Sequence, residues 1–137
     1  MHRNKFGQEY DVLIGGAIEM GETVERAVLR EVAEEAGIQV SQPKLVFVER
    51  APDPYGVQYI FLCSYLKGEP QISPKSPEYA IDRMGKNLYR LAWRTAAEIE
   101  ATEFRSQAVK AALLEGLEKG FPDSPVDITG KQLSRLA

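Results

Sequence analysis

A chain of 137 residues with 44% hydrophobic content has room for about one domain built on one core, and no second domain is expected. Its formal charge of −3 comes from 17 basic and 20 acidic residues interspersed along the chain, so no basic stripe points to polymeric nucleic acid. A small phosphorylated molecule is the more natural partner. There is no apolar run of about 18 residues and no charged-then-apolar leader, which argues against a membrane span and a signal peptide and makes a cytoplasmic protein the expectation.

In chain order, Glu9 to Ile14 reads as a strand running into a turn at Gly15-Gly16. Thr23 is a natural N-cap for a helix that ends at Ala36, with Gly37 as its C′ residue and Val28, Leu29, Val32, Ala33 and Ala36 as its buried stripe. Lys44 to Arg50 and Val57 to Leu66 read as strands joined by the turn APDPYG. The second is apolar on both faces, which predicts a central strand covered on both sides. Lys67 to Lys86 shifts to Gly, Pro, Ser and charge, the composition of a long surface loop. Leu88 to Arg94 is a further strand, and Thr95 with Glu98 forms a capping-box pattern. Glu103 to Lys119 is an amphipathic helix through Phe104, Ala108, Val109, Ala112, Leu113 and Leu117. Past Gly120, with Pro122, Pro125 and Gly130, a loosely held tail is expected, which makes residues 1–120 the domain and 121–137 its tail. Cys63, the only cysteine, lies in the apolar run VQYIFLCSYL and reads as a small core residue. His2, the only histidine, is assigned no catalytic role. Mixed strands with a helix on each side predict an α/β/α sandwich with a mixed central sheet.

The segment GAIEMGETVERAVLREVAEEAGI, Gly16 to Ile38, carries the chemistry. Glu31, Glu34 and Glu35 stand at i, i+3 and i+4, so their carboxylates share an arc of roughly 100° on a helix of about 3.6 residues per turn. Each like-charged pair at that spacing costs about 0.2–0.5 kcal/mol. They also crowd the negative end of the helix dipole, which disfavours each by a further ~0.3–1 kcal/mol. A bound divalent cation removes that repulsion, and clustered carboxylates beside a backbone carbonyl suit Mg²⁺ or Mn²⁺. The alternative reading of the three glutamates alone is a solvated acidic face.

The rest of the segment decides between the two. It matches G-x5-E-x7-R-E-U-x-E-E-x-G-U, with U a bulky apolar residue, through Gly16, Glu22, Arg30, Glu31, Val32, Glu34, Glu35, Gly37 and Ile38. With each of the seven fixed letters at ~7%, a random window matches with probability on the order of 10⁻⁸. The sequence therefore resembles the Nudix hydrolases, which cleave nucleoside diphosphates linked to another moiety. The likeness runs from roughly Arg3 to Leu117 and implies the same α/β/α architecture.

The resemblance implies a division of labour. Glu34 and Glu35 match the primary metal ligands, and Glu31 a glutamate that ligates a further metal or activates water. The Gly15 carbonyl matches another metal contact, and Gly16 needs the same freedom of close approach. Arg30 resembles the residue that orients these glutamates, and Glu22 one that fixes the loop against the helix, with surface ion pairs as the alternative for both. A carboxylate outside the box often serves as ligand or general base. Glu78 in SPKSPEYA is the candidate, Asp82 the other acid of that loop, and Glu98 is better explained by capping.

The resemblance has departures. Family members usually carry about twenty more residues before the box, forming a first strand that this chain begins too late to contain; Asp11 stands where an aromatic is common, and Ile14 where proline is usual. A shortened frame, a homodimer that fills the gap, or a trimmed variant are the readings open. Pro54 and Tyr55 stand where the family's substrate cues fall and give opposite answers, ADP-ribose against dinucleoside polyphosphates. Tyr55, Tyr59 and Phe61 offer faces on which a base can stack. The expected function is Mg²⁺- or Mn²⁺-dependent cleavage of a nucleotide pyrophosphate, and the alternative is a non-catalytic Nudix-like domain that binds nucleotide or a partner protein.

Overall fold

A computed structural model describes residues 1–51, 56–71 and 87–132. The elements are β1 (His2–Lys5), β2 (Gln8–Asp11), α1 (Val24–Ala36), β3 (Gln39–Arg50), β4 (Val57–Lys67), β5 (Asn87–Arg90), α2 (Ala96–Ala101), α3 (Gln107–Lys119) and β6 (Val126–Asp127). Strands and helices combine in an α/β fold with antiparallel and parallel pairings. The chain divides into two compact units. Met1–Pro43 with Cys63–Trp93 forms the first, and Lys44–Leu62 with Arg94–Ala137 the second.

In the first unit β1 lies between β2 and β5, antiparallel to both, with His2 opposite Asp11 and Arg90, and Lys5 opposite Gln8 and Asn87. The β1–β2 hairpin turns at Phe6 and Gly7, both at positive φ of 51° and 87°. That pair of angles is what a two-residue hairpin loop needs to match the strand twist. Asn4 accepts from the Gly7 N–H at 3.0 Å and steadies the turn. Strand β1 escapes a sequence reading because HRNK contains no β-branched or apolar residue to signal it.

Helix α1 begins and ends as its caps dictate. Thr23 is its N-cap, and Gly37 closes it at φ 69° with its N–H on the Ala33 carbonyl. Its buried side differs from the expected stripe. Ala36 is buried and Val28 and Val32 half-buried, but Leu29 and Ala33 are exposed, and Ala27 and Glu35 are buried instead. Ala27, Glu31 and Glu35 recur every four residues, so the sheltered face is partly a carboxylate face.

The second unit holds the apolar core: Val46, Phe47, Ile60, Ile99, Phe104, Ala108, Val109, Ala112 and Ile128. Helix α2 opens with the expected capping box, both the Thr95 and Glu98 side chains meeting the other's backbone N–H. Helix α3 starts at Gln107, later than expected, because Ser106 caps it by accepting from the Val109 N–H. Ser106 also donates to the buried carboxylate of Glu49. Leu113 packs against the core as expected, whereas Leu117 is exposed at 51%.

Two expectations are corrected. Among the described residues strand β4 is not central: the order is β4-β3-β6, so β3 takes the middle, and β4 exposes Val57, Tyr59, Leu62, Tyr65 and Leu66. An apolar run does not by itself reveal which strand the sheet encloses. The segment after Gly120 is not loosely held throughout. Val126 and Asp127 pair in parallel with Phe47 and Val48, the Ile128 N–H reaches the Val48 carbonyl at 2.9 Å, and Ile128 itself is buried. Cys63 is half-buried, and burial pushes its thiol pKa up, as befits a packing residue rather than a nucleophile. Among the described residues, no helix is long and apolar enough to cross a membrane.

Replacing Phe104, 6% exposed within the core, by alanine is expected to lower stability by about 3–5 kcal/mol in urea unfolding.

Candidate functional site

The loop from Val12 to Glu22 and the sheltered face of α1 meet through one side chain. Arg30 donates from Nε and Nη2 to the two oxygens of Glu22 at 2.7 and 2.9 Å, a bidentate pairing. Its Nη1 donates to Glu31 at 2.8 Å and to Glu34 at 3.1 Å. Nη2 also reaches the Ala17 carbonyl at 3.0 Å, and Glu19 lies 3.6 Å from Nη1. A planar fork of five N–H donors is what permits one residue to hold so many oxygens.

Glu22 is tied on its own side as well. Its Oε1 accepts from the Glu19 N–H at 3.1 Å, and its own N–H reaches the Glu19 carbonyl at 3.1 Å. The Arg30 hydrogen bonds, helped by the Glu19 N–H, hold the Glu22 carboxyl below its ordinary pKa. The same pairing, together with Glu31 and Glu19, raises the Arg30 guanidinium pKa further against the opposing effect of burial.

The three helix glutamates occupy different surroundings despite their shared arc. Glu35 is buried and its Oε2 accepts the Gly15 N–H at 3.0 Å. The Glu31 side chain is 15% exposed and Glu34's 53%. Glu31 lies so close to the loop that a Cβ at Gly16 would stand 2.3 Å from its carboxyl carbon. Only glycine leaves that carboxylate where it is.

Gly15, Gly16, Glu22, Arg30, Glu31, Glu34 and Glu35 are therefore gathered at one place within the first unit. Glu19 and the Ala17 carbonyl join them, and sequence reasoning missed both because they fall at positions where the motif specifies no residue. Tyr55, Pro54, Glu78 and Asp82 lie outside the described residues. His2 stands apart, its Nδ1 2.7 Å from the buried carboxylate of Asp11 and its Nε2 3.5 Å from Glu9. That contact gives the unusual Asp11 a partner across the β1–β2 hairpin.

Hard oxygen donors dominate the cluster, and among the described residues one guanidinium stands among the four carboxylates of Glu19, Glu22, Glu31 and Glu34. Among the described residues, no three His, Cys, Asp or Glu side chains already converge as an ion cage; Arg30 Nη1 joins Glu31 and Glu34 instead. The donor chemistry, oxygen throughout, is of the kind that a divalent cation accepts.

Comparison with known proteins agrees with the geometry. A family model described as NUDIX domain matches residues 1–112. Curated proteins named NAD-capped RNA hydrolase NudC, from Salmonella paratyphi C, Escherichia coli O1:K1 and Citrobacter koseri, are each 41% identical over 63 residues. The match takes in 46% of this chain and 24% of each relative, so it spans about a quarter of the curated relatives' length.

The depressed Glu22 pKa has a fixed sign in stability. Its contribution is fully present above the ordinary value of 4.5 and is lost as pH falls below that toward the folded-state value. The stability difference between the wild type and Glu22→Gln should therefore stay constant above that pH and shrink below it, read by urea unfolding across a pH series.

Proposed function

The chain belongs to the Nudix family, and from that premise we propose that it is a divalent-metal-dependent pyrophosphohydrolase acting on a nucleoside diphosphate linked to another moiety. The observation that carries the reading is Arg30 seated among Glu22, Glu31 and Glu34, with Gly15 and Gly16 against Glu35 and Glu31.

Glu31, Glu34 and Glu35 are the residues that would hold Mg²⁺ or Mn²⁺, with the Gly15 carbonyl as a further oxygen. When bound, such a metal neutralises phosphate charge and lowers the pKa of a coordinated water. The chain's own residues prepare the place. Arg30 keeps Glu31 and Glu34 paired and joins them to Glu22, so the helix and loop move as one piece. The Gly15 N–H holds one Glu35 oxygen and sets the orientation of that carboxylate. Gly16 keeps the loop backbone close to Glu31, which brings the backbone to where a diphosphate would lie. Glu78 is proposed as the extra carboxylate that takes the proton from the attacking water.

The substrate class is wider than charge alone implied. Nudix hydrolases act on nucleotide-containing substrates, and the relatives' name is NAD-capped RNA hydrolase, so a nucleotide at the end of an RNA joins ADP-ribose, NAD and dinucleoside polyphosphates as candidates. A net charge of −3 does not remove it, because a capped end needs only local contacts.

With Mg²⁺ or Mn²⁺ the chain should release two phosphorylated products from one of these classes, and EDTA should abolish release. Glu35→Gln, nearly isosteric and able to keep the Gly15 contact, should lower the rate by at least about 100-fold with the fold intact by circular dichroism. Unchanged turnover in that variant would remove Glu35 from the site, and tight nucleotide binding without turnover in the wild type would favour a binding domain. Gly16→Ala separates geometry from stability. Its Cβ meets the movable end of a side chain, so unfolding should shift little while turnover falls as the Glu31 carboxylate is displaced.

A further inference from the structure

Several large apolar side chains stand in water, and two of them touch. Tyr65 on β4 and Trp93, three residues past β5, form an edge-to-face pair with centroids 5.3 Å apart and an interplanar angle of 86°. They are 52% and 58% exposed, so core packing does not account for them. Lys67 is also exposed and, two residues along the same strand, shares the face of Tyr65.

The pair is fastened to the end of the carboxylate helix. Tyr65 Oη donates to the Gly68 carbonyl at 2.6 Å. Gly68, at φ 108°, packs so tightly against the end of α1 that a Cβ there would lie 2.8 Å from the Gly37 carbonyl oxygen. The Gln71 N–H then reaches the Ala36 carbonyl at 2.9 Å. Glu34 and Glu35 occupy the last turn of that helix, and all of these residues belong to the first unit. Tyr59 and Phe61, the described stacking candidates from sequence, fall in the second.

Resting on the pyrophosphohydrolase reading above, we infer that the base of the nucleotide stacks on the Tyr65 ring, with Trp93 standing edge-on to that ring and Lys67 nearby to meet phosphate. A nucleotide's base is joined to its diphosphate through one ribose, so its platform belongs near the end of the helix that carries the carboxylates. The hydroxyl bond to Gly68 fixes the Tyr65 ring before any ligand arrives, which lowers the ordering cost of binding. Stacking tolerates any base, so the platform selects for nucleotides as a class.

Trp93 is the only tryptophan, so its emission reports on the platform directly. The test titrates the chain in EDTA with AMP, and with ribose 5-phosphate as a base-free control, while Trp93 fluorescence is followed. AMP should quench saturably and ribose 5-phosphate should not. Tyr65→Ala should weaken the AMP response about 5- to 150-fold, the usual range for losing one base–aromatic stack, and Tyr65→Phe, which keeps the ring but loses the hydroxyl tether, should weaken it less. No AMP quench, or an equal response to ribose 5-phosphate, overturns the inference. So does emission that changes with protein concentration instead, which would assign the pair to contact between copies of the chain. Because neither metal nor turnover is needed, the two readings fail separately. A quench without hydrolysis contradicts the hydrolase reading, and hydrolysis without a quench contradicts the base platform.

Discussion

The grip of Arg30 on Glu22, Glu31, Glu34 and the Ala17 carbonyl is the contact on which the site depends. Without it, Glu31 and Glu34 would crowd the dipole-negative end of a short helix with no cation between them among the described residues. With it, repulsion is reduced but not removed, since one cation faces several carboxylates. Among the described residues Arg30 is thus both a fastener and an incomplete counter-ion, and the negative charge left over there is of the kind that the proposed divalent metal would offset.

The clamp matters more because of where the apolar core lies. The main buried apolar cluster belongs to the second unit, whereas the buried apolar side chains of the first are Tyr10, Ala27, Ala36 and Ile38 among the described residues. Among the described residues, hydrophobic burial alone gives that unit little to position a loop with. Polar ties substitute for it: Arg30 to Glu22, the Gly15 N–H to Glu35, and the Gln71 N–H to the end of α1. Small residues make them possible, most clearly Gly16 against Glu31 and Gly68 against Gly37.

What could be read from the sequence is what local chemistry determines. Thr23 and Gly37 set the limits of α1, and Thr95 with Glu98 announced α2, because caps act within one turn of chain. The cluster around Arg30 was legible for a similar reason: helical spacing and a dense motif name its members. Strand β1 was hidden by polar residues that pair only in the context of β2 and β5, and β6 is two residues long and exists through its pairing with β3. The rank of β4 in its sheet was misread because hydrophobicity marks a strand without ordering it. Glu19 and Ala17 joined the site through the path of a loop, which no spacing rule describes, and the Tyr65–Trp93 contact joins residues far apart in the chain.

The most direct test of the proposed metal site is Mn²⁺ binding followed by electron paramagnetic resonance in the wild type and in Glu31→Gln. If the carboxylates paired through Arg30 hold the ion, the substitution should weaken Mn²⁺ binding by at least about 10- to 100-fold, the loss usual for disturbing groups around a metal. Equal affinity in the two proteins would place the ion elsewhere and contradict the account.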